Sequence, residues 1–87
     1  MRQQYSDILK RTFHQHLFRS RVDLGITQEE MAFRLAMANR TYIELDHGKA
    51  GCSALTLVLY LIYICADPLA FLGELKNAFQ DIADKVA

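Results

Sequence analysis

The chain has 87 residues, of which 52% are hydrophobic, and its ten Lys or Arg and ten Asp or Glu residues give a formal net charge of zero. This length suits one domain, and the composition, with one Pro and four Gly, favours a compact all-helical domain over a disordered chain. The apolar stretch at residues 54–66 is shorter than the roughly 20 residues that cross a bilayer. We therefore expect a single cytoplasmic domain over residues 1–87, with no membrane segment.

Charge is distributed unevenly along the chain. Residues 1–51 carry eight Lys or Arg and six Asp or Glu, whereas residues 52–87 carry two and four. This asymmetry has the sign expected of a DNA-facing first half and a neutral-to-acidic second half. Because the asymmetry is small, the motifs say more about the partner than the net charge does.

Residue types that carry chemistry are few and poorly spaced. Cys52 and Cys65 are separated by twelve residues, which is not a metal-ligand spacing, so we expect two reduced packing cysteines. His14 and His16 face different directions on a helix and make a poor metal pair. No nucleophile with a base and no phosphate loop can be recognised. We therefore expect no metal, no cofactor and no enzymatic activity.

The first predicted helix begins near Ser6, a good N-cap, and ends by Gly25. Apolar residues recur along it at the spacing of one helical face, which we expect to be buried. This stripe comprises Tyr5, Ile8, Leu9, Phe13, Leu17 and Leu24. Most of the charged residues between them are expected to face solvent.

Two short helices joined by a turn are predicted next. Thr27 is the N-cap of the first, and Glu30 three residues later completes a capping box. Residues 36–38 form the turn, and the second short helix runs from about Asn39 to Asp46. Gly48 ends it, because Gly accepts a left-handed backbone at little cost. Helices this short cannot bury their apolar faces alone, so the rest of the chain must support them.

A fourth helix is predicted from Ser53 to Cys65, and because it has almost no polar face we expect it to be buried all round. Asp67 and Pro68 start a fifth helix, which Gly73 ends or kinks. The tail carries apolar residues at the spacing of a short coiled-coil seam. This seam either folds back on the first and fourth helices or pairs with its copy, and we favour a homodimer. The expected interface comprises Leu59, Ile62, Leu72, Leu75, Phe79, Ile82 and Val86.

The segment from Arg21 to Gly48 resembles the helix-turn-helix of the lambda-repressor-like family, the Cro and phage-repressor or XRE-like type. A run of Leu-Gly-Ile-Thr-Gln-Glu-Glu-Met-Ala and a Gly-Lys pair after the second short helix carry the resemblance, which covers about residues 13–72. It implies an all-α fold, a five-helix helix-turn-helix domain. The core would span about residues 13–72, and a C-terminal helical extension about residues 73–87.

In that family the start of the second short helix enters the major groove of double-stranded DNA. The resemblance implies that Arg40 bonds guanine O6 and N7, that Asn39 pairs with adenine or holds a phosphate, and that Gln28 contacts phosphate. The full set of expected DNA-binding residues is Gln28, Asn39, Arg40, Thr41, Ile43, Glu44 and Lys49. The resemblance also implies a structural ion pair between Arg21 and Asp46, partly buried between the first helix and the recognition helix.

Four positions depart from the pattern of the family. Ala36 replaces the usual turn Gly, so we expect an altered turn, and Ala38 replaces the usual capping Ser or Thr. Phe33 and Ile43 are apolar where the family is usually polar. Two hypotheses follow. The first is a dimeric transcriptional regulator that binds operator DNA; the alternative is a protein-interaction module on the same scaffold, such as an antitoxin or anti-repressor.

Overall fold

The computed structural model describes residues 2–49 and 51–86, without the side chain of Val86, so that predicted interface residue lies outside the described side chains. Over these residues the chain is all-helical and contains no strand, as the sequence predicts. The five helices are α1 (Arg2–Leu24), α2 (Gln28–Arg34), α3 (Asn39–Asp46), α4 (Ala54–Tyr63) and α5 (Pro68–Val86). None of the described helices is both long and apolar enough to cross a membrane.

The two long helices, α1 and α5, pack against each other in antiparallel directions. Near one end the ring of Tyr5 contacts the ring of Phe79 edge-on, with centroids 4.9 Å apart. Further along, His16 contacts Phe71 in the same way at 4.8 Å. The predicted start of α1 near Ser6 is wrong, because the Tyr5 contact holds an additional turn of helix against α5.

The start of α5 agrees with the prediction, but the helix extends further along the chain than one of the predicted alternatives. A carboxylate oxygen of Asp67 accepts the backbone N–H of Ala70 at 3.1 Å, and Pro68 is the first helical residue. The helix then continues through Gly73 to Val86, so the predicted end at that glycine is wrong. A helical Gly costs only about 1 kcal/mol, and the packing of α5 on α1 offsets this cost.

The apolar seam of the tail packs on α1 of its own chain. Leu75 is only 6% exposed and belongs to the core, Phe79 contacts Tyr5, and Ile82 is half-buried. Leu75 and Phe79 therefore pack within their own chain, which favours a tail that folds back on α1, whereas the pairing of the tail with its copy stays a prediction. Leu72 remains about half exposed.

Tyr60 of α4 joins the two long helices to the rest of the core and is fully buried. Its ring lies 5.2 Å from that of Phe13 on α1 and 5.8 Å from that of Phe71 on α5. Its hydroxyl shares a hydrogen bond of 2.9 Å with the hydroxyl of Ser20. Burial raises the pKa of Tyr60 to about 12, although the Ser20 hydrogen bond acts in the opposite direction. The buried core comprises Phe13, Leu17, Met31, Ala32, Leu35, Tyr42, Leu45, Tyr60, Ile64, Phe71 and Leu75.

Only one side of α4 is buried. The helix follows its N-cap Ser53 and ends at Tyr63, short of the predicted end. On the side away from Tyr60, the exposed fractions of Leu55, Val58 and Ile62 are 67%, 49% and 63%. The expectation of a helix buried all round is therefore wrong for a single chain, because α5 lies along α1 instead of covering this side.

Replacing Tyr60 with Phe tests its raised pKa. The unfolded chain ionises tyrosine near pH 10, whereas the folded chain keeps Tyr60 neutral until about pH 12. The stabilisation is therefore complete below pH 10 and declines by about 2–3 kcal/mol as the pH rises toward 12. In Tyr60→Phe this part of the decline should disappear, and below pH 10 the variant should lose about 1 kcal/mol with the Ser20 hydrogen bond.

Urea unfolding at several pH values between 8 and 12 measures this effect. Tyr63→Phe is the matched control, because Tyr63 is 68% exposed and lies on the same helix. Its unfolding free energy should follow that of the unsubstituted protein at every pH. An equally steep decline in Tyr60→Phe would contradict the assignment of the raised pKa.

Candidate nucleic-acid interface

The beginning of α2 is fixed by the predicted cap. The hydroxyl of Thr27 accepts the backbone N–H of Glu30 at 3.1 Å. The side chain of Glu30 does not return the bond as in a full capping box; it accepts from Nε of Arg34, one turn later, at 3.2 Å. Met31 and Ala32 are buried on the inner side of α2, which packs on α3.

A tight turn at residues 35–38 connects α2 to α3. Ala36 has a φ of 55°, in the left-handed region where an L side chain is strained. The N–H of Met37 donates to the carbonyl of Ala32 at 3.0 Å and closes the end of α2. Ala38 precedes α3 and provides no side-chain cap. Ala36 and Ala38 thus have the local effects expected from the sequence: a strained residue in the turn and an uncapped α3.

The eight residues of α3 divide between an inner and an outer side. Tyr42, Leu45 and Asp46 are buried and lie at the spacing of one helical face. Ile43 is half-buried. The other predicted DNA-binding residues on or just after the helix are exposed: Asn39, Arg40, Thr41, Glu44 and Lys49. These five side chains are accessible to a partner.

Asp46 is a carboxylate only 5% exposed, in the last turn of α3. One of its oxygens accepts from the side-chain amide of Gln28 at 2.8 Å and lies 3.7 Å from the guanidinium of Arg21. Its other oxygen accepts the hydroxyl of Tyr42 at 3.4 Å. A buried charge without partners is strongly unfavourable, so these contacts tie α3 to α1 and α2.

Two of these contacts were missed from the sequence. Gln28 was expected at a DNA phosphate, but its amide is half-buried and donates to Asp46, so it joins α2 to α3. Tyr42 lies one helical turn before Asp46, and this spacing of a hydroxyl and a carboxylate could have predicted their hydrogen bond from the sequence. Burial and then the Asp46 charge raise the pKa of Tyr42, although Arg21 lowers it. Tyr42 therefore stays a neutral hydrogen-bond donor.

Comparisons of the chain with protein-family models, curated proteins and solved structures gave no match. In the part of the chain that the structure describes, no three His, Cys, Asp or Glu side chains are grouped so that they could hold a metal ion. The functional interpretation therefore depends on the outer side of α3 and on the contacts that hold its inner side.

Ala36→Gly tests the strain in the turn. Gly accepts a φ of 55° freely, whereas Ala does so at a cost of about 1–2 kcal/mol. Part of this gain is offset by the greater freedom of Gly in the unfolded chain, so we expect a net stabilisation of about 0.5–1 kcal/mol in urea unfolding. Ala70→Gly, in the helical backbone of α5, is the control and should destabilise the protein. Destabilisation by both variants would exclude strain at Ala36.

Asp46→Ala tests the contacts that hold α3. The substitution leaves Gln28 and Tyr42 without their shared acceptor and Arg21 without its ion-pair partner, and we expect the free energy of unfolding to fall by about 2–3 kcal/mol. Glu44→Ala removes an exposed carboxylate from the same helix and should change it by less than about 0.5 kcal/mol. Thermal and urea unfolding measure both variants. Equal effects of the two substitutions would show that Asp46 does not hold the helix.

Proposed function

We propose that this chain is a transcriptional regulator of the lambda-repressor-like type that binds operator DNA as a dimer, with α3 in the major groove. The observation that supports this most directly is the division of α3. Tyr42 and Asp46 anchor its inner side, while Asn39 and Arg40 are exposed in its first turn. Helix-turn-helix proteins contact base edges with the N-terminal residues of their second helix.

Side chains on the outer side of α3 have the chemistry to distinguish base pairs. Arg40 can donate two parallel hydrogen bonds to O6 and N7 of guanine, and Asn39 can bond N6 and N7 of adenine. Glu44, one turn after Arg40, can accept from N4 of cytosine, and Ile43 can contact a thymine methyl. Because the planar fork of Arg40 matches guanine and is exposed, we expect it to contribute most of the discrimination.

Contacts to the DNA backbone would come from the surroundings of α3. Thr41 and Lys49 are exposed and carry donors suited to phosphate oxygens. Gln28 uses an amide hydrogen for Asp46, so its part in phosphate binding is weaker than the sequence alone indicates. The chain has no excess of positive charge, so non-specific binding should be weak. Dimerisation would compensate for this weak binding, because both copies of the chain contact the same DNA molecule and their contacts add to one complex.

One observation favours the second candidate function, a protein-interaction module such as an antitoxin or anti-repressor. Phe33 on the outer side of α2 is 78% exposed, and Ile43 adds apolar surface on α3. Large exposed aromatic residues are enriched at protein interfaces. In this case the same scaffold would present an apolar surface to a protein partner, either in place of DNA or in addition to it.

Selection of bound duplexes from a random DNA pool tests the first proposal. We expect a two-fold-symmetric consensus containing guanine at the position that Arg40 contacts. Arg40→Ala should cost about 1–3 kcal/mol of binding free energy and relax the preference at that position.

Lys49→Ala is the matched control, because it removes one exposed positive charge without a predicted base contact. It should weaken binding to all sequences alike and reduce the slope of log K against log salt by about 1. No enrichment from the pool and no gel retardation at low salt would reject DNA binding. Loss of a tight protein partner on Phe33→Ala would then support the interaction module.

A further inference from the structure

The outer side of α4 is apolar and carries no charge. Leu55, Val58 and Ile62 follow one another at helical spacing on the side opposite the buried Tyr60, and we call these three residues the outer α4 stripe. All ten residues of the helix are uncharged. Surface helices normally present polar residues on this side, and a contiguous exposed apolar patch indicates an interaction site.

Within residues 2–49 and 51–86, no segment of the chain covers the outer α4 stripe. The tail would be the obvious cover, but its apolar residues Leu75 and Phe79 pack into the core and against α1. At the beginning of α5, Leu69 and Leu72 are also exposed, by 81% and 47%. The outer α4 stripe and these two leucines are therefore exposed to solvent in a single copy of the chain.

The whole chain exposes more surface than a compact monomer of its mass. The chain has an accessible surface of 5911 Å² at a mass of 10.0 kDa, whereas a folded monomer of that mass exposes about 5200 Å². The excess of about 700 Å² is close to the roughly 800 Å² that each partner buries in a stable complex. The elongated outline, 43 × 24 × 19 Å, contributes to this excess, and the exposed side chains of the outer α4 stripe are part of the surface counted.

We propose that a second copy of this chain covers the outer α4 stripe, in a two-fold-symmetric dimer in which α4 packs antiparallel to α4 of the partner. An uncharged helix side is best matched by another uncharged side, and a two-fold dimer supplies an identical one. The formal net charge of zero means that two copies do not repel each other as whole molecules. The antiparallel arrangement also pairs opposite ends of the two helix dipoles.

This inference names the surface through which the dimer of the proposed function would form. It rests on that function for its biological purpose, which is to hold two α3 helices at a fixed distance. It also restricts the geometry. The midpoint of the stripe lies beside Val58, so Val58 lies near its own copy across the symmetry axis. Leu55 would then be displaced from its own copy by about 10 Å along the direction of the two helices. It would face Ile62 of the partner subunit.

Sedimentation equilibrium of the full chain without DNA tests the dimer separately from DNA binding. We expect the unsubstituted protein to be dimeric at micromolar concentration. Val58→Glu places two like charges near the axis and should raise the dimer dissociation constant at least about 100-fold. Phe33→Glu is the control: it adds the same charge at a side chain that is more exposed and lies on α2, and it should leave the dimer intact.

Disulfide trapping in a background of Cys52→Ala and Cys65→Ala tests the arrangement without depending on Val58→Glu. Val58→Cys should form a covalent dimer on oxidation, whereas Leu55→Cys should not, because its Cα atoms would be too far apart. The proposal is overturned by a monomer at all concentrations, by a dimer that Phe33→Glu dissolves and Val58→Glu does not, or by trapping through Leu55 alone. A dimer that passes these tests but selects no DNA would reject the regulator and keep the interface.

Discussion

The buried carboxylate of Asp46 is the constraint on which the arrangement of the first three helices depends. It lies at the end of α3 with almost no solvent contact. Its oxygens accept hydrogen bonds from Gln28 of α2 and Tyr42 of α3, and the guanidinium of Arg21 on α1 lies 3.7 Å away as an ion-pair partner. A charge in this position is tolerable only while these partners stay in place. The same contacts that satisfy Asp46 therefore hold the inner side of α3, and in doing so they leave its first turn exposed.

The helices α4 and α5, together with α1, support the two short helices. Tyr60 sits where α1, α4 and α5 meet, with aromatic neighbours on both long helices and a hydroxyl satisfied by Ser20. The contact of Tyr5 with Phe79 extends the pairing of the long helices toward their far end. The two short helices pack on each other and α3 packs on α1. The proposed role of α3 in DNA recognition needs such support, because binding residues must be held in a defined position.

Apolar surface is distributed in a way that separates two proposed tasks. The outer side of α3 is mostly polar, as contact with base edges and phosphates requires, whereas the outer side of α4 is entirely uncharged. Phe33 is the exception near the first surface. If DNA occupies α3 and a second copy occupies α4, each surface has the chemistry of its partner, and neither task competes with the core for residues.

The sequence by itself determined most of the local structure. The caps at Thr27, Ser53 and Asp67, the left-handed glycine at Gly48 and the bounds of α3 follow from short-range backbone chemistry, which a few neighbouring residues decide.

The tertiary structure decided which apolar stripe meets which. The period of the tail predicted a buried side but not whether α1 or a second tail would bury it. The apolar pattern of α4 placed Ile62 at an interface but did not indicate that Leu55 and Val58 would be exposed beside it. The tertiary structure also decided that Gln28 donates a hydrogen bond to Asp46. The two residues are 18 positions apart in the sequence, so their contact depends on how α2 and α3 pack. Periodicity identifies a face of a helix, whereas only packing in three dimensions supplies the surface that covers it.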